Sequence, residues 1–236
     1  MASGYRGKLY VEVVPRTFSI HVRQGMRLNQ LRFVRGKPQQ LREESTIGEL
    51  HEQEPLAYAA DNSPADSEFH RGLPISVDLT GGEGLPVIGY KAKSHAPLVD
   101  LSKVNHYDPQ EFWEPLPPTR RIILNPGDFY ILISKEKVSI PPPLAGVMTA
   151  YDPSMGEFRI HYAGFFDPGF GYGLEAAKGT HAVLEVRSHE VPFVIEDGQV
   201  VGRLVYERLM ERPDTIYGAG EFRMEQPSVF RNWLDW

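Results

Sequence analysis

The chain reads as an all-β protein, a barrel or a sandwich. Strand-like runs recur between dense turn signals, with 20 Pro and 22 Gly in 236 residues. No helical period is sustained along the chain, so no long helix competes with the strands. The pattern of one β-unit also occurs twice. In LYVEVVPRTFSIHVRQGMRLNQLRF (9–33), Glu12 is followed by Gly25 at +13, Gln30 at +18 and Phe33 at +21. In VLEVRSHEVPFVIEDGQVVGRLVY (183–206), Glu185 is followed at the same offsets by Gly198, Arg203 and Tyr206. Each copy reads as a strand with one Glu among apolar residues, a second strand, a Gly turn and a third strand. Such self-similarity marks a duplicated β-unit.

Taken in order, residues 8–34 predict three short strands around Gly25. Residues 35–70 turn polar and read as a connector, with one short helix over TIGELHEQ (46–53) and a linker-like stretch at 61–70. LPISVDL (73–79) alternates, GGEG (81–84) turns, and LPVIGYKAK (85–93) continues as strand. HYDPQEFWEPLPP (106–118) predicts a helix of about two turns, with Asp108 as N-cap and Pro109 at its first position. Residues 122–152 predict strand, a Pro-Gly turn at 126–127, strand, a Pro-rich bend at 141–143, and strand. GEFRIHYAGFFDPGFGYG (156–173) reads as two strand pieces around Gly164 and an Asp-Pro-Gly turn. Strands are expected at 181–187, 191–195 and 199–206. The tail, 211–236, is polar and then aromatic.

Composition excludes several classes. Cys is absent, which removes disulfides, thiol nucleophiles and Cys-zinc sites, including that of zinc deaminases. A cysteine-free chain suits a reducing cytoplasm, the expected compartment. No apolar run approaches the length of a membrane helix, so no membrane partner is expected. The net charge is −6 and no basic stripe occurs, which argues against a nucleic-acid polymer as partner. A small anion needs only a few local Arg. Walker A, GxSxG, GxGxxG and HExxH patterns are all missing.

The candidate site residues follow from what remains. Glu185 lies between Leu184 and Val186, on a face shared with Val183 and Arg187. A desolvated carboxyl there binds its proton more tightly and becomes a proton shuttle near neutral pH. The competing reading pairs it with Arg187 or a cross-strand Arg, as ordinary sheet chemistry. Glu12 inherits both readings through the repeat. Further on, His161, Phe166, Asp167, Phe170 and Tyr172 crowd among glycines that let backbone approach a flat ligand. Asp167 is equally a plain turn former, and His161 alone is equally a bonded surface or core histidine. Arg159, Arg187 and Arg203 are phosphate grips or solvated charges.

These segments are similar to a known family. GEFRIHYAGFFDPGFGYG and AVLEVRSHEVPFVIEDGQVVGRLVYE resemble the second half of tandem-domain 2′-deoxycytidine 5′-triphosphate deaminases. So do SVDLTG (76–81) and LNPGDFYILISKEKVSIPPPLAGVM (124–148). GYRGKLYVEVVPRTFSIHVRQGMRLNQLRF (4–33) resembles the end of the first half. The resemblance implies the β-clip barrel of dUTP diphosphatases, assembled as a homotrimer or pseudo-trimer with sites between subunits. It divides the chain into a remnant of a first domain (1–36), a linker (37–70), a deaminase domain (71–210) and a C-terminal tail (211–236), so most of the first domain is expected to be missing.

The chemistry implied is conversion of dCTP and water to dUTP and ammonia without a protein-held metal, Mg²⁺ only accompanying the triphosphate. Glu185, or Glu12 in the first copy, would move the proton of the water that attacks C4. The pocket hairpin falls on His161, Ala163, Asp167 and Phe170. The triphosphate side falls on Gln30 in the first copy and on Arg203 in the second. The family's Ser-Ser-x-x-Arg stretch has only loose counterparts in Thr149 or Ser154 and Arg159. That departure keeps two other readings open: a dUTP diphosphatase using Asp167 as base, and a non-catalytic β-clip module.

Overall fold

The computed structural model describes residues 4–29, 32–37, 40–82, 84–150, 158–161, 165–173, 178–188, 190–217 and 229–230. Its framework is one antiparallel sheet built on four strands: β4 (Leu73–Asp78), β9 (Tyr130–Val138), β13 (Thr180–Ser188) and β15 (Val200–Arg208). Period-2 patterning decides which face each presents. On β13, Ala182, Leu184 and Val186 are buried while Val183 is exposed. Tyr130, Leu132 and Val138 of β9 join the same core. Four consecutive buried residues on β4, 75–78, mark a strand covered on both faces.

With β10 (Leu144–Ala150), β11 (Phe158–His161) and β12 (Phe165–Phe166), the sheet runs β11-β13-β9-β4-β15-β10-β12. The two outermost strands of this path are joined by only three residues, 162–164. His161 and Phe165 are therefore at most about 14 Å apart. A path of seven strands can satisfy that only by curling toward closure, as a barrel does. The all-β expectation is met, and the curled sheet is the β-clip form.

The stretch expected as a connector is part of this body. β2 (Gln40–Leu41), α1 (Glu44–Gln53) and β3 (Ala57–Tyr58) pack Leu41, Ile47, Leu56, Ala57 and Phe69 into the main core. The buried Tyr206 hydroxyl donates to Leu56 O (3.0 Å) and also lies 3.3 Å from Ser139 O. Polarity misleads here because the apolar residues are sparse but fall where the chain touches the sheet. The helix over 46–53 is present and begins two residues earlier.

The helix expected after Asp108 shrinks to one 3₁₀ turn, Pro109–Glu111, with Asp108 accepting from Gln110 N (2.9 Å). Phe112 and Trp113 are then drawn into a second, aromatic core with Ala92 and Val99. The chain continues as β7 (Trp113–Leu116) paired with β5 (Gly89–Ala92), so tertiary packing overrides a good helix start.

The first copy of the repeat also departs from expectation. Among its described residues only β1 (Ile20–His21) forms, in parallel with β6 (Val99–Asp100), and Leu9, Tyr10, Val11, Val13 and Val14 are exposed. Its Gly25 still takes a left-handed φ of 88°, matching Gly198 at 76°. Turn geometry is local, whereas a strand needs neighbours. The counterparts of β9 and β11 that flank β13 have no equivalent beside residues 8–14 among the described residues.

The Asp167-Pro-Gly turn supplies a stability test. A Cβ at Gly171 (φ +64°) would sit 2.1 Å from Val138 O, while one at Gly173 (φ +68°) meets nothing within 4 Å. Gly171→Ala should cost roughly 3 kcal/mol or more, and Gly173→Ala only about 1 kcal/mol of backbone strain. Urea unfolding midpoints of the two variants check the difference.

Candidate active site

Glu185 sits in the middle of β13, with β9 on one side and β11 on the other. Its cross-strand neighbours are Ile131 and His161, and Ile131 in turn pairs with Tyr90 of β5. The carboxyl is half-buried and has no hydrogen-bond partner among the described residues. Burial raises its proton affinity above the ordinary glutamate value, and the Arg187 charge works in the opposite direction. The desolvation expected from its flanking residues is thus present, without a paired cation at salt-bridge distance among the described residues. Arg187 is near-buried and bonded elsewhere, to Gly127 O and Thr17 Oγ1.

The other expected residues divide. Backbone register puts His161 opposite Glu185 and Arg159 opposite Arg187. Asp167 and Phe170 lie beyond β12, at the other end of the strand path. There Phe170 N donates to Asp167 O (3.1 Å), and the Phe170 ring packs on Phe166 and Tyr217. Arg203 is on β15, separated from β13 by β9 and β4, and its Nη1 donates to His70 O (2.6 Å). Glu12 is exposed on a segment that forms no strand, so the equivalence suggested by the repeat fails. It lacks the two flanking strands that bury Glu185. Ala163 and Gln30 lie outside the described residues.

A cavity of about 350 Å³ went unread in the sequence. It is lined by Tyr58, Asp78, Thr80, Lys135, Glu136 and His181, among others. Burial raises the proton affinity of Glu136, and bonds from Ser76 N and Oγ partly offset this. Burial pushes Asp78 the same way, but backbone N–H groups of Gly82, Thr80 and Gly81 outweigh it and hold the carboxyl low. His181 Nδ1 donates to Ser134 O (2.6 Å). The hint was Asp78-x-Thr80-Gly81, an Asx-type turn. His181 is four residues from Glu185 along β13, roughly 13 Å. Both Glu136 oxygens are already engaged by Ser76, whereas the Glu185 carboxyl is not engaged.

No three His, Asp or Glu side chains among the described residues cluster as a metal site, and no helix is long and apolar enough to cross a membrane.

A curled antiparallel sheet with a half-buried glutamate on an interior strand places the chain among dUTP diphosphatase-like β proteins. Residues 43–227 match the family model of the 2′-deoxycytidine 5′-triphosphate deaminase C-terminal domain, and residues 1–37 match that of its N-terminal domain. The chain belongs to the 2′-deoxycytidine 5′-triphosphate deaminase family.

The solved 2′-deoxycytidine 5′-triphosphate deaminase of Agrobacterium tumefaciens is 48% identical, with a TM-score of 0.65 over 73% of this chain and 50% of that one. A Kocuria rhizophila protein named "dCTP deaminase, dUMP-forming" is 28% identical over 135 residues, 53% of this chain and 66% of that one. A Halorubrum lacusprofundi protein named "dCTP deaminase" is 25% identical over 159 residues, 66% of this chain and 73% of that one. The chain spans half the length of the Agrobacterium protein and just under two thirds of the Kocuria one. The name of the Kocuria relative carries dUMP, which counts against the expected dUTP product.

The raised proton affinity of Glu185 has a stability signature. The fold favours the protonated form. That stabilisation is complete below the ordinary glutamate value near 4.5 and is lost as pH rises through the higher folded value. Glu185→Gln should therefore unfold a few degrees (~1–4 °C) above the native chain at pH 7–8, with the gap closing below about pH 4. Thermal unfolding across pH checks this.

Proposed function

We propose that the chain performs the hydrolytic chemistry of its family on the cytosine ring of dCTP, with Glu185 as proton shuttle. Water adds to C4 as the Glu185 carboxylate takes its proton. The carboxyl passes that proton to the ring nitrogen, then takes the second one from the added hydroxyl and hands it to the departing amine as the C4–N bond breaks and the C4 carbonyl forms. Cytosine becomes uracil, one water is consumed and one ammonia leaves. The observation that carries this reading is a half-buried carboxyl with raised proton affinity and no engaged partner among the described residues. A proton carrier works best when its affinity lies near the working pH, and burial moves Glu185 in that direction.

His161, Ala163, Asp167 and Phe170 are proposed to line the nucleotide pocket. Arg159, Arg203 and Gln30 are proposed for the phosphates, with Mg²⁺ bound to the triphosphate and no metal held by the protein. A site between subunits of a trimer is proposed, as the resemblance to the family implies. The proposed setting is the cytoplasm.

A second reading is favoured by the name of the Kocuria relative. The same site then also hydrolyses the triphosphate, with Asp167 activating water, so that dCTP and two waters give dUMP, ammonia and pyrophosphate.

Incubation with dCTP, following ammonia, dUTP, dUMP and pyrophosphate together, tests both readings. Glu185→Gln should retain dCTP binding and lose turnover by roughly 10²–10⁴-fold, because the amide keeps the shape but carries no proton. A variant rate near the native one would remove Glu185 from the mechanism. Ammonia without pyrophosphate would remove the second reading.

A further inference from the structure

One buried cation has no part in the mechanism so far. Arg187 is 9% exposed. Its Nη1 donates to Gly127 O (2.8 Å) and its Nη2 to Thr17 Oγ1 (2.6 Å). The guanidinium carbon lies 5.0 Å from the centre of the Phe129 ring. Its Nε is buried with no hydrogen-bond partner, and no carboxylate is within salt-bridge distance among the described residues. Burying a guanidinium this way is costly. An apolar side chain would pack there with less penalty.

What Arg187 does hold is the first copy of the repeat. Thr17 belongs to a strap that is fastened again further along. Phe18 packs edge-on against Phe112 (5.3 Å) and Trp113 (5.2 Å), Ile20 pairs with Val99, and Arg23 Nη2 reaches Asp100 (2.9 Å). Phe18 shares its aromatic cluster with Ile131, the cross-strand neighbour of Glu185, and with Tyr90, the next residue beyond it across the sheet. Glu185 and Arg187 project from the same face, roughly 7 Å apart along the strand.

We propose that Arg187 is a positioning residue for Glu185. It ties the Arg16–Phe18 strap across the sheet face that carries the carboxyl, and it supplies a fixed positive charge beside it. This rests on Glu185 being the proton shuttle. The role fits the chemistry, because a shuttle must release its proton as well as take it. Burial favours the protonated form of Glu185; the Arg187 charge opposes that. Among the described side chains, the other ionisable groups around the pair are Arg16 on the strap, Asp128 just before β9 and Tyr90 on β5; in backbone register, His161 and Arg159 of β11 stand opposite. Burial lowers the proton affinity of Arg187 and Arg16 adds to this, while Asp128 and Glu185 raise it.

The test uses the full chain with ¹³C-labelled glutamate, the Glu185 signal being assigned by its loss in Glu185→Gln. Arg187→Met should raise the Glu185 titration midpoint by roughly half a pH unit or more. The rising limb of the dCTP rate profile should move the same way. Arg187→Lys keeps the charge but not the fork. It should leave the midpoint near native while amide exchange at residues 16–21 quickens about tenfold or more. Thr17→Val should quicken exchange equally. An unmoved midpoint in Arg187→Met would reduce Arg187 to a structural residue and overturn the proposal. If that variant does not fold, unchanged exchange in both Arg187→Lys and Thr17→Val overturns it instead. A native chain that turns over no dCTP would sink the shuttle reading, while titration and exchange would still report on Arg187.

Discussion

The pairing of β13 with a strand on each side is the constraint on which the rest depends. Backbone N–H and C=O groups of an interior strand must be satisfied laterally. β9 does this over most of the length of β13, and β11 over its second half. The same pairing buries Leu184 and Val186 and withdraws Glu185 from bulk water. Chemistry and stability therefore share one cause. The pairing that lets the strand fold also withdraws its carboxyl from water and raises its proton affinity.

The two copies of the repeat act as an internal control. Glu12 has apolar neighbours like those of Glu185, and Gly25 forms the same left-handed turn as Gly198. Yet the first copy stays open and its Glu stays exposed, because no sheet flanks it among the described residues. Desolvation belongs to the assembled sheet and is not written into a local sequence window. The first copy acts instead as a strap, held by Thr17, Phe18 and Ile20 against the aromatic core.

Legibility followed the range of the interactions. Alternation of apolar residues, Pro-Gly turns and the absence of helical period were enough for the all-β class, because these are short-range signals. The helix over 44–53 was readable for the same reason. The two-turn helix after Asp108 was not, since Phe112 and Trp113 answer to an aromatic core assembled from residues far along the chain. The polar stretch 40–69 hid five core residues between charged neighbours. At the site, the flanking residues of Glu185 forecast its raised proton affinity. They could not show that Arg187 would turn away to Gly127 and Thr17, or that Asp167 and Arg203 would stand on other parts of the sheet. The Glu136 cavity was equally hidden, because its walls come from β3, β4, β9 and β13 together.

The register of β13 breaks once, between His181 and Val183. Alternation beyond that point puts Leu184 and Val186 inward and Glu185 outward, and a slip of one residue would exchange them. A bulge of this kind acts as a phase adjuster. Length changes in the loop before Thr180 can be absorbed upstream of it, while the half of the strand bearing the carboxyl stays locked to Ile131 and Tyr130. Loop variation and preservation of the reacting group are thereby uncoupled, and the loop before β13 becomes the place where related chains can diverge without losing the glutamate from its face.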